Sequence, residues 1–281
     1  MSPLVSVVIP TWNRLPLLRE AVASVRAQTF ADYELIVADD GSTDGTGAWL
    51  AGRHITTVSL PHAGRPGLVR NRGAAAALGE WLAFLDSDDV WEPDKLERQV
   101  EFLRAHPALR LCHTRERWLR NGREISQAGQ RHRHSGRLFR DSLKKCIIGP
   151  STVMLSRSLF REHGGFAEDL EIAEDYEFWL RLTAREEAGY LDRPLTVKRG
   201  GHADQLSAKY GHIEYFRIQA LERALAHGDW TKEERSLILA ELSSKCAIYA
   251  RGAAKRGKDA ESREFHRRQL HYAEEQRDGA G

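Results

Sequence analysis

The sequence predicts an α/β protein in which a mostly parallel sheet is flanked by helices and is followed by a helical C-terminal appendage. Three observations favour this fold class. Short apolar runs alternate with stretches of helical periodicity, three of the runs end directly in polar clusters, and the last part of the chain has only helical periodicity. We therefore divide the chain into an α/β domain (1–210, with halves 1–110 and 111–210) and an appendage (211–281).

Residues 1–85 predict four strands and three helices. The strands are β-branched or apolar runs at 4–9, 33–38, 54–60 and 80–85. Two helices follow from amphipathic or Ala-rich periodicity at 17–25 and 69–78. A third, short helix ending at Leu50 has Ser42 or Thr43 as its predicted N-cap.

Polar clusters follow three of these strands at once. Right-handed crossovers bring the carboxyl ends of parallel strands to one edge of a sheet, and ligands bind at that edge in open α/β folds. We therefore expect three clusters to lie close together at that edge: Thr11-Trp12-Asn13, Asp39-Asp40 and Asp86-Ser87-Asp88-Asp89.

The rest of the α/β domain gives mixed helix and strand signals. A helix to residue 105, a strand at 109–118 and a strand at 152–155 are predicted from apolar runs. Asn121-Gly122 is typical of a type I′ hairpin turn. A short helix ends at Gly164-Gly165, and another begins at Glu174-Asp175.

The appendage predicts three helices, at 213–226, 231–251 and 258–276. Thr231 followed by Glu234 indicates a capping box at the start of the second helix. These helices are candidates for contact with an acceptor, for homo-oligomer formation, or for docking on a partner.

Composition narrows the class of protein. The hydrophobic fraction of 41% supplies enough apolar material for a core. The three cysteines match no zinc or redox spacing, the first apolar run lacks the features of a signal peptide, and no run reaches the roughly 18 apolar residues of a membrane span. We expect a cytoplasmic protein without structural disulfides.

The net charge of +2 predicts no nucleic-acid partner, but its distribution is uneven. Segment 115–145 carries ten Lys and Arg residues against three acidic ones. One interpretation is a solvated, Arg-rich surface. The other is a surface for an anionic acceptor or for peripheral contact with the inner face of a membrane.

The Asp86-Ser87-Asp88-Asp89 cluster is the strongest chemical signal. Carboxylates this close repel one another unless a cation lies among them, and oxygen ligands suit Mg²⁺ or Mn²⁺. The alternative is that the cluster only caps the following helix.

Other polar residues carry the same ambiguity. Asp39 and Asp40 suit hydrogen bonds to a base and ribose, or an Asx turn. Asp175 at a helix N-terminus is a candidate general base, or only a partner for the helix dipole. Arg70 suits a phosphate or the acidic cluster, or is simply exposed at a helix start. His202 is a candidate ligand or a surface residue.

Taken together, these features resemble the family 2 glycosyltransferases with the GT-A fold over about residues 4–205. The similar motifs occur in the family's order: 7–14 (VVIPTWNR), 38–46 (ADDGSTDGT), 70–73 (RNRG), 79–89 (GEWLAFLDSDD), 164–166 (GGF) and 174–179 (EDYEFW).

The resemblance implies inverting transfer of a sugar from a nucleotide diphosphate donor, with UDP favoured and GDP and dTDP open, and a divalent Mn²⁺ or Mg²⁺. It implies Asp175 as the catalytic base and Asp88 as the metal ligand, with His202 a further candidate. The implied donor-binding residues are Pro10, Thr11, Asn13, Asp39, Asp40, Arg70, Asp86, Ser87 and Glu174, with Asp39 favoured as the contact to the base.

The chain also departs from relatives that extrude polymers, because it lacks their Gln-x-x-Arg-Trp signature and a membrane helix. The acceptor stays open among a glycan, a lipid-linked hydroxyl and a protein side chain, with polysaccharide biosynthesis the general expectation. A nucleotidyltransferase is a weaker hypothesis, because residues 10–14 contain no Gly for a triphosphate loop. A catalytically silent sugar-nucleotide binder is the remaining alternative.

Overall fold

The computed structural model describes residues 2–126, 133–200 and 212–279. Within these ranges, nine strands form one sheet: β1 Val5–Thr11, β2 Tyr33–Asp39, β3 Thr56–Ser59, β4 Trp81–Phe84, β5 Val90–Trp91, β6 Leu111–Arg120, β7 Arg123–Ile125, β8 Val153–Ser156 and β9 Gly189–Gly200. The helices are α1 Leu15–Arg26, α2 Thr46–Leu50, α3 Pro66–Ala75, α4 Lys95–Ala105, α5 Phe139–Lys144, α6 Arg157–Glu162, α7 Glu174–Arg185, α8 Ile213–His227, α9 Lys232–Lys255 and α10 Asp259–Asp278. A 3₁₀ turn covers Pro150–Thr152.

The sheet has the strand order β3-β2-β1-β4-β8-β6-β9-β5, with β7 paired to β6. Strands β1 to β4 pair in parallel, as the sequence predicts for the first half. The second half is mixed, because β8 runs antiparallel to both β4 and β6 while β9 runs parallel to β6. The α/β fold class is confirmed, and the parallel part is concentrated in the half that carries the polar clusters.

Helices cover both faces of the sheet, because its central strand is apolar on both sides. In β1, Val5, Val7 and Ile9 pack with α1 and α4, while Val8 packs with α3 and α6 on the other face. All four side chains are fully buried. Burial on both faces explains why apolar residues do not alternate with polar ones here, and the exception, the buried Ser6, donates a hydrogen bond to Glu34.

Strand β9 was not predicted. Its sequence contains Asp192, Arg193 and Pro194, which interrupt any alternation of apolar and polar residues. The register with β6 shifts on both sides of Arg115, which pairs with Pro194. A bulge therefore accommodates the proline, and the strand then continues to Gly200 between β6 and β5.

The predicted N-cap of α2 is wrong. Gly45 is the N-cap residue, with a φ of 90° that favours glycine. The Ser42 hydroxyl instead accepts a hydrogen bond from the amide of Asn13, and the Thr43 amide donates to the Asn13 side chain. The loop after β2 is thus tied to the loop after β1, which leaves Ser42 and Thr43 unavailable as caps.

Two local predictions are confirmed. Asn121 and Gly122 both have positive φ, as a type I′ turn requires, and they join β6 to β7. The capping box of Thr231 and Glu234 is present with both of its hydrogen bonds at the start of α9.

The three C-terminal helices share a hydrophobic core with α5 and α7. Tyr176 and Leu180 on α7 lie in one cluster with Leu221 of α8 and Leu242 of α9. The expected boundary at 210/211 lies outside the described residues. None of the helices in the described ranges is long and apolar enough to cross a membrane.

Candidate active site

A cavity of about 710 Å³ opens at the carboxyl ends of β1, β2 and β4. The predicted meeting of the three polar clusters is confirmed, since each contributes residues to its wall. Further wall residues come from β6, the start of α7, the end of β9 and the start of α8. The lining includes Pro10, Thr11, Trp12, Arg14, Asp40, His62, Arg70, Asp86, Ser87, Asp88, Asp89, Trp118, Glu171, Glu174, Asp175, Lys198, Arg199 and Ile213.

One end of the cavity is aromatic. The rings of Trp12 and His62 stack with centroids 4.1 Å apart and planes 12° apart. Trp12 is 44% exposed, so part of its indole is available to a ligand. Nearby, the buried Thr11 hydroxyl has no hydrogen-bond partner within the described ranges, which marks it as available to a bound molecule.

Asp40 fixes the loop that carries His62. Its two carboxylate oxygens accept hydrogen bonds from the amides of Ala63 and Gly64, both at 2.9 Å. The second oxygen also lies 2.9 Å from Nδ1 of His62. Gly41 must be glycine there, because its φ is 75° and a Cβ would lie 2.8 Å from the His62 amide nitrogen.

Arg70 on α3 joins two carboxylates inside the protein. Its guanidinium donates to Asp86 Oδ1 at 2.6 Å and to Glu174 Oε1. Burial opposes the charged form of Arg70, but Asp86 and Glu174 outweigh it and raise its pKa. Of the alternatives that the sequence left open for Arg70, the structure shows the pairing with the acidic cluster rather than an exposed side chain.

The carboxylates around Arg70 respond in opposite directions. Burial alone would raise the pKa of Asp86, yet Arg70 and Lys198 lower it. Burial raises the pKa of Glu174 to about 7, although Arg70 works against the shift. Glu174 also lies close to α3, since a Cβ on Gly67 would be 2.9 Å from its Cγ.

Asp86, Asp88 and Asp89 each place one carboxylate oxygen within 4.8 Å of the others. The carboxylate of Asp89 already has partners within the protein. It accepts hydrogen bonds from the Ser151 hydroxyl at 2.6 Å and from the Arg199 amide at 3.2 Å. Ser151 also accepts from the Asp86 amide at 3.0 Å, which fixes the turn. Asp86 and Asp88 are left as the more accessible pair.

This donor set fits a divalent ion. Hard carboxylate oxygens at this spacing suit Mg²⁺ or Mn²⁺, which retain positions for phosphate oxygens and water. Protein cations also contribute to neutralisation, since Arg14 lies 3.2 Å from Asp88. Repulsion within the cluster is therefore not by itself an argument for a metal. Burial and the neighbouring Asp86 still raise the pKa of Asp88.

Asp175 enters the same cavity from the N-terminus of α7. Its Oδ1 accepts a hydrogen bond from the Tyr176 amide at 2.7 Å. Its Oδ2 lies 3.3 Å from the Cys146 thiol, whose proton it shares with the Ile148 carbonyl oxygen at 3.2 Å. Burial raises the pKa of Cys146 well above its ordinary value, and Asp175 raises it further, so the thiol stays a donor.

The geometry agrees with comparisons to known proteins. The model of the family described as "Glycosyl transferase family 2" matches residues 6–164. The chain belongs to the family 2 glycosyltransferases. It is 32% identical over 196 residues to Bacillus subtilis TuaG, whose name assigns it to teichuronic acid biosynthesis; the match covers 67% of this chain and 75% of TuaG.

A second relative is an uncharacterized glycosyltransferase of Rickettsia felis, 32% identical over 199 residues and 69% of this chain. The match covers only 33% of that protein, so this family 2 chain spans about a third of its length.

Solved structures confirm the GT-A fold. S. aureus TarS in complex with UDP-GlcNAc matches with a TM-score of 0.70 at 22% identity, covering 88% of this chain and 73% of that one. The mannosyltransferase PcManGT from Pyrobaculum calidifontis, in complex with GDP-Man and Mn²⁺, matches with a TM-score of 0.62 at 19% identity, covering 97% and 86%.

Most predicted site residues of this family 2 glycosyltransferase line the cavity: Pro10, Thr11, Asp40, Arg70, Asp86, Ser87, Asp88, Glu174 and Asp175. Asn13 and Asp39 instead hold the neighbouring loops. Asp39 accepts from the Ser42 amide at 3.1 Å, which is the Asx-type contact left open by the sequence. His202 lies outside the described residues.

Several described arginines of the basic segment are in ion pairs. Arg133 pairs with Glu116, Arg117 with Glu92 at 2.6 Å, and Arg140 with Glu233 at 2.6 Å. The pairs of Arg117 and Arg140 are largely exposed and favour the interpretation of a solvated surface at those positions, whereas Arg133 and Glu116 form a nearly buried, internal pair.

Sequence reasoning assigned no role to several lining residues, among them Trp12, His62, Lys198 and Arg199. Trp12 stood inside a quoted motif without a role. Lys198 and Arg199 could have been found only by recognising β9, whose alternation is broken by its proline.

Proposed function

We propose that this chain is an inverting glycosyltransferase that moves a sugar from a nucleoside diphosphate donor, with UDP favoured, to a hydroxyl acceptor. The observation that carries the proposal is one cavity lined by a basic–acidic donor cluster, an aromatic end and Asp175. Its volume of about 710 Å³ suits a ligand of nucleotide-sugar size.

The aromatic end is the proposed nucleoside site. Trp12 offers a face for stacking on a base, and Thr11 offers a hydroxyl without an internal partner. Asp39 and Asp40 are proposed to contact the nucleoside, Asp40 at the wall and Asp39 after a change in its contact with Ser42. S. aureus TarS has been solved with UDP-GlcNAc and with UDP, which supports UDP as the first nucleotide to test.

The acidic cluster is the proposed diphosphate and metal site. Asp86 and Asp88 would hold a divalent ion, with His202 as a further candidate ligand and Ser87 beside them. When bound, such an ion neutralises charge that develops on the departing diphosphate. Arg70 is held by Asp86 and Glu174, so its position does not depend on a ligand.

Asp175 is the proposed general base. Its carboxylate is oriented by the Tyr176 amide and the Cys146 thiol, and it faces the cavity that holds the donor site. In an in-line displacement it removes the proton of the attacking hydroxyl while the bond from the anomeric carbon to the diphosphate breaks. The sugar configuration is then inverted.

The acceptor is proposed to be a glycan or lipid-linked hydroxyl, in keeping with the name of TuaG. A cytoplasmic location, membrane contact through segment 115–145 and homo-oligomer formation through the C-terminal helices remain proposals. Liposome flotation and light scattering test the last two directly. Absence of binding to anionic vesicles would remove the membrane proposal.

A thermal-shift panel of UDP-, GDP-, dTDP- and CMP-sugars, each with Mn²⁺ and with EDTA, tests the donor site. We expect one nucleotide to raise Tm in a metal-enhanced way, because a ligand of the folded state stabilises it by mass action. Released nucleoside diphosphate supports transfer, whereas pyrophosphate would indicate a nucleotidyltransferase. Binding without any turnover would favour a silent sugar-nucleotide binder.

A further inference from the structure

An ammonium group lies among the carboxylates of the proposed metal site. Nζ of Lys198 is 3.5 Å from Oδ2 of Asp89 and 3.8 Å from Oδ2 of Asp86. The lysine side chain is 17% exposed and lines the same cavity as Asp88. The same acidic cluster thus neutralises the charge of Lys198 and also has carboxylate oxygens that could bind a divalent ion.

The fold provides a defined place for this lysine. Lys198 lies near the end of β9, opposite Trp118 of β6, whose ring centroid is 5.7 Å from Nζ. Gly149 makes room for the aliphatic stem, since a Cβ at that position would lie 3.2 Å from Cε of Lys198. The position of the charge is therefore set by strand register and packing.

Neutralisation of Asp89 alone does not explain the arrangement. Asp89 already accepts hydrogen bonds from Ser151 and from the Arg199 amide. The distances of 3.5 and 3.8 Å from Nζ are longer than the roughly 2.7–3.2 Å of a direct N–H···O bond. The ammonium is held between two carboxylates electrostatically, with donor capacity for a further acceptor at the cavity wall.

We propose that the ammonium group of Lys198 is a permanent cation of the donor site. It binds the donor diphosphate beside the metal, so that part of the nucleotide affinity does not depend on the metal. This inference rests on the proposed function. It assigns Lys198 a role that depends on its charge rather than on folding.

The proposal predicts two effects of opposite sign. A fixed positive charge within about 4 Å of metal-binding carboxylates weakens their affinity for a divalent ion. The same charge strengthens the binding of a diphosphate. Removing the charge should therefore tighten metal binding and loosen nucleotide binding, which loss of structure would not do.

The experiment compares the wild type with Lys198→Met, which keeps the stem, and Lys198→Arg, which keeps the charge. Mn²⁺ affinity is measured without nucleotide by electron paramagnetic resonance of the free ion. UDP and uridine affinities are measured in EDTA by calorimetry or NMR titration. For Lys198→Met we expect Mn²⁺ to bind about tenfold more tightly and UDP about tenfold more weakly, with uridine changed less than about twofold. Lys198→Arg should retain most of the UDP affinity.

A buried lysine outside the cavity provides the control. Lys245 lies 3.0 Å from Glu214 and 3.2 Å from Glu241, within the C-terminal helices and outside the cavity lining. Lys245→Met should lower Tm and leave the Mn²⁺ and UDP affinities unchanged. If Lys198→Met does not fold, Lys198→Gln is the second neutral variant, since its amide can still hydrogen-bond Asp89.

Equal losses of UDP and uridine affinity, or unchanged Mn²⁺ affinity, would overturn the proposal for Lys198. The proposed function fails differently: the wild type would bind no nucleoside diphosphate even with Mn²⁺. In that case the Mn²⁺ measurement alone still decides whether Lys198 is a cation of the metal site.

Discussion

Arg70 on α3 and Glu174 on α7 form a buried ion pair across 104 positions of the chain. The pair links the donor half of the cavity to the helix that carries Asp175. Because Arg70 also bonds Asp86, a single guanidinium connects the proposed metal cluster to the helix of the proposed base.

Arg70→Ala should strongly destabilise the protein, because it leaves the buried carboxylate of Glu174 without its ion-pair partner and removes one of the two cations beside Asp86. Removing one member of a buried pair costs roughly 3–5 kcal/mol. The free energy of unfolding in urea measures the loss. The control is Arg72→Ala on the same helix, whose exposed pair with Glu168 should contribute at most about 1 kcal/mol. Similar losses of unfolding free energy in both variants would show that the ion pairs of Arg70 stabilise the protein no more than an exposed pair does.

Glu174 should make stability depend on pH. Burial raises its pKa from 4.5 to about 7, so the folded state binds a proton more tightly than the unfolded state. Its contribution is therefore largest below pH 4.5 and is lost as pH rises towards 7. The stability of Glu174→Gln relative to the wild type should rise over this window, by up to about 3 kcal/mol. A constant difference across the window would contradict the shift.

Cys146 should orient Asp175 rather than react. Cys146→Ala removes the hydrogen bond to Asp175 Oδ2, and we expect kcat to fall about threefold to tenfold at unchanged donor affinity. Cys146→Ser should retain most of the activity. The control is Cys246→Ala, a buried cysteine in the core of the C-terminal helices, which should lower Tm alone. Equal kcat in the wild type and Cys146→Ala would remove this role.

Asp88 should carry the metal-dependent part of donor binding. We expect Asp88→Asn to weaken Mn²⁺ binding at least about tenfold, because a ligand carboxylate becomes neutral. EDTA should then change the nucleotide affinity of the variant much less than that of the wild type. Exposed Asp192→Asn serves as the control. If EDTA lowered the nucleotide affinity of Asp88→Asn as much as that of the wild type, the metal would have to be bound by other residues.

Much of the site could be predicted from the local sequence, because many of its residues directly follow the ends of recognisable strands. A parallel strand such as β1 is recognisable from its own residues, and the end of the strand places Thr11 at the edge of the sheet. The same logic brought Asp40, Asp86 and Asp88 together. Asp175 could be nominated from its helix start, although only the fold shows that it shares the cavity.

The missed parts depend on long-range contacts. Strand β9 is stabilised by pairing with β6 and β5, and Pro194 interrupts the alternation by which a strand is recognised in the sequence. Lys198, which lies on this strand, could therefore not be predicted as a site residue. The stack of Trp12 on His62 depends on how Asp40 holds a distant loop. The N-cap prediction for α2 failed because Ser42 and Thr43 form hydrogen bonds with Asn13 in the loop after β1.

The most direct test of the central claim is donor turnover by Asp175→Asn, measured as nucleoside diphosphate release with the donor chosen by the thermal-shift panel. Donor Kd is measured on the same preparation. Our account predicts a fall in turnover of at least about a hundredfold, with Kd changed less than about twofold, because the amide cannot accept the acceptor's proton. Turnover close to that of the wild type would contradict the assignment of Asp175 as the base.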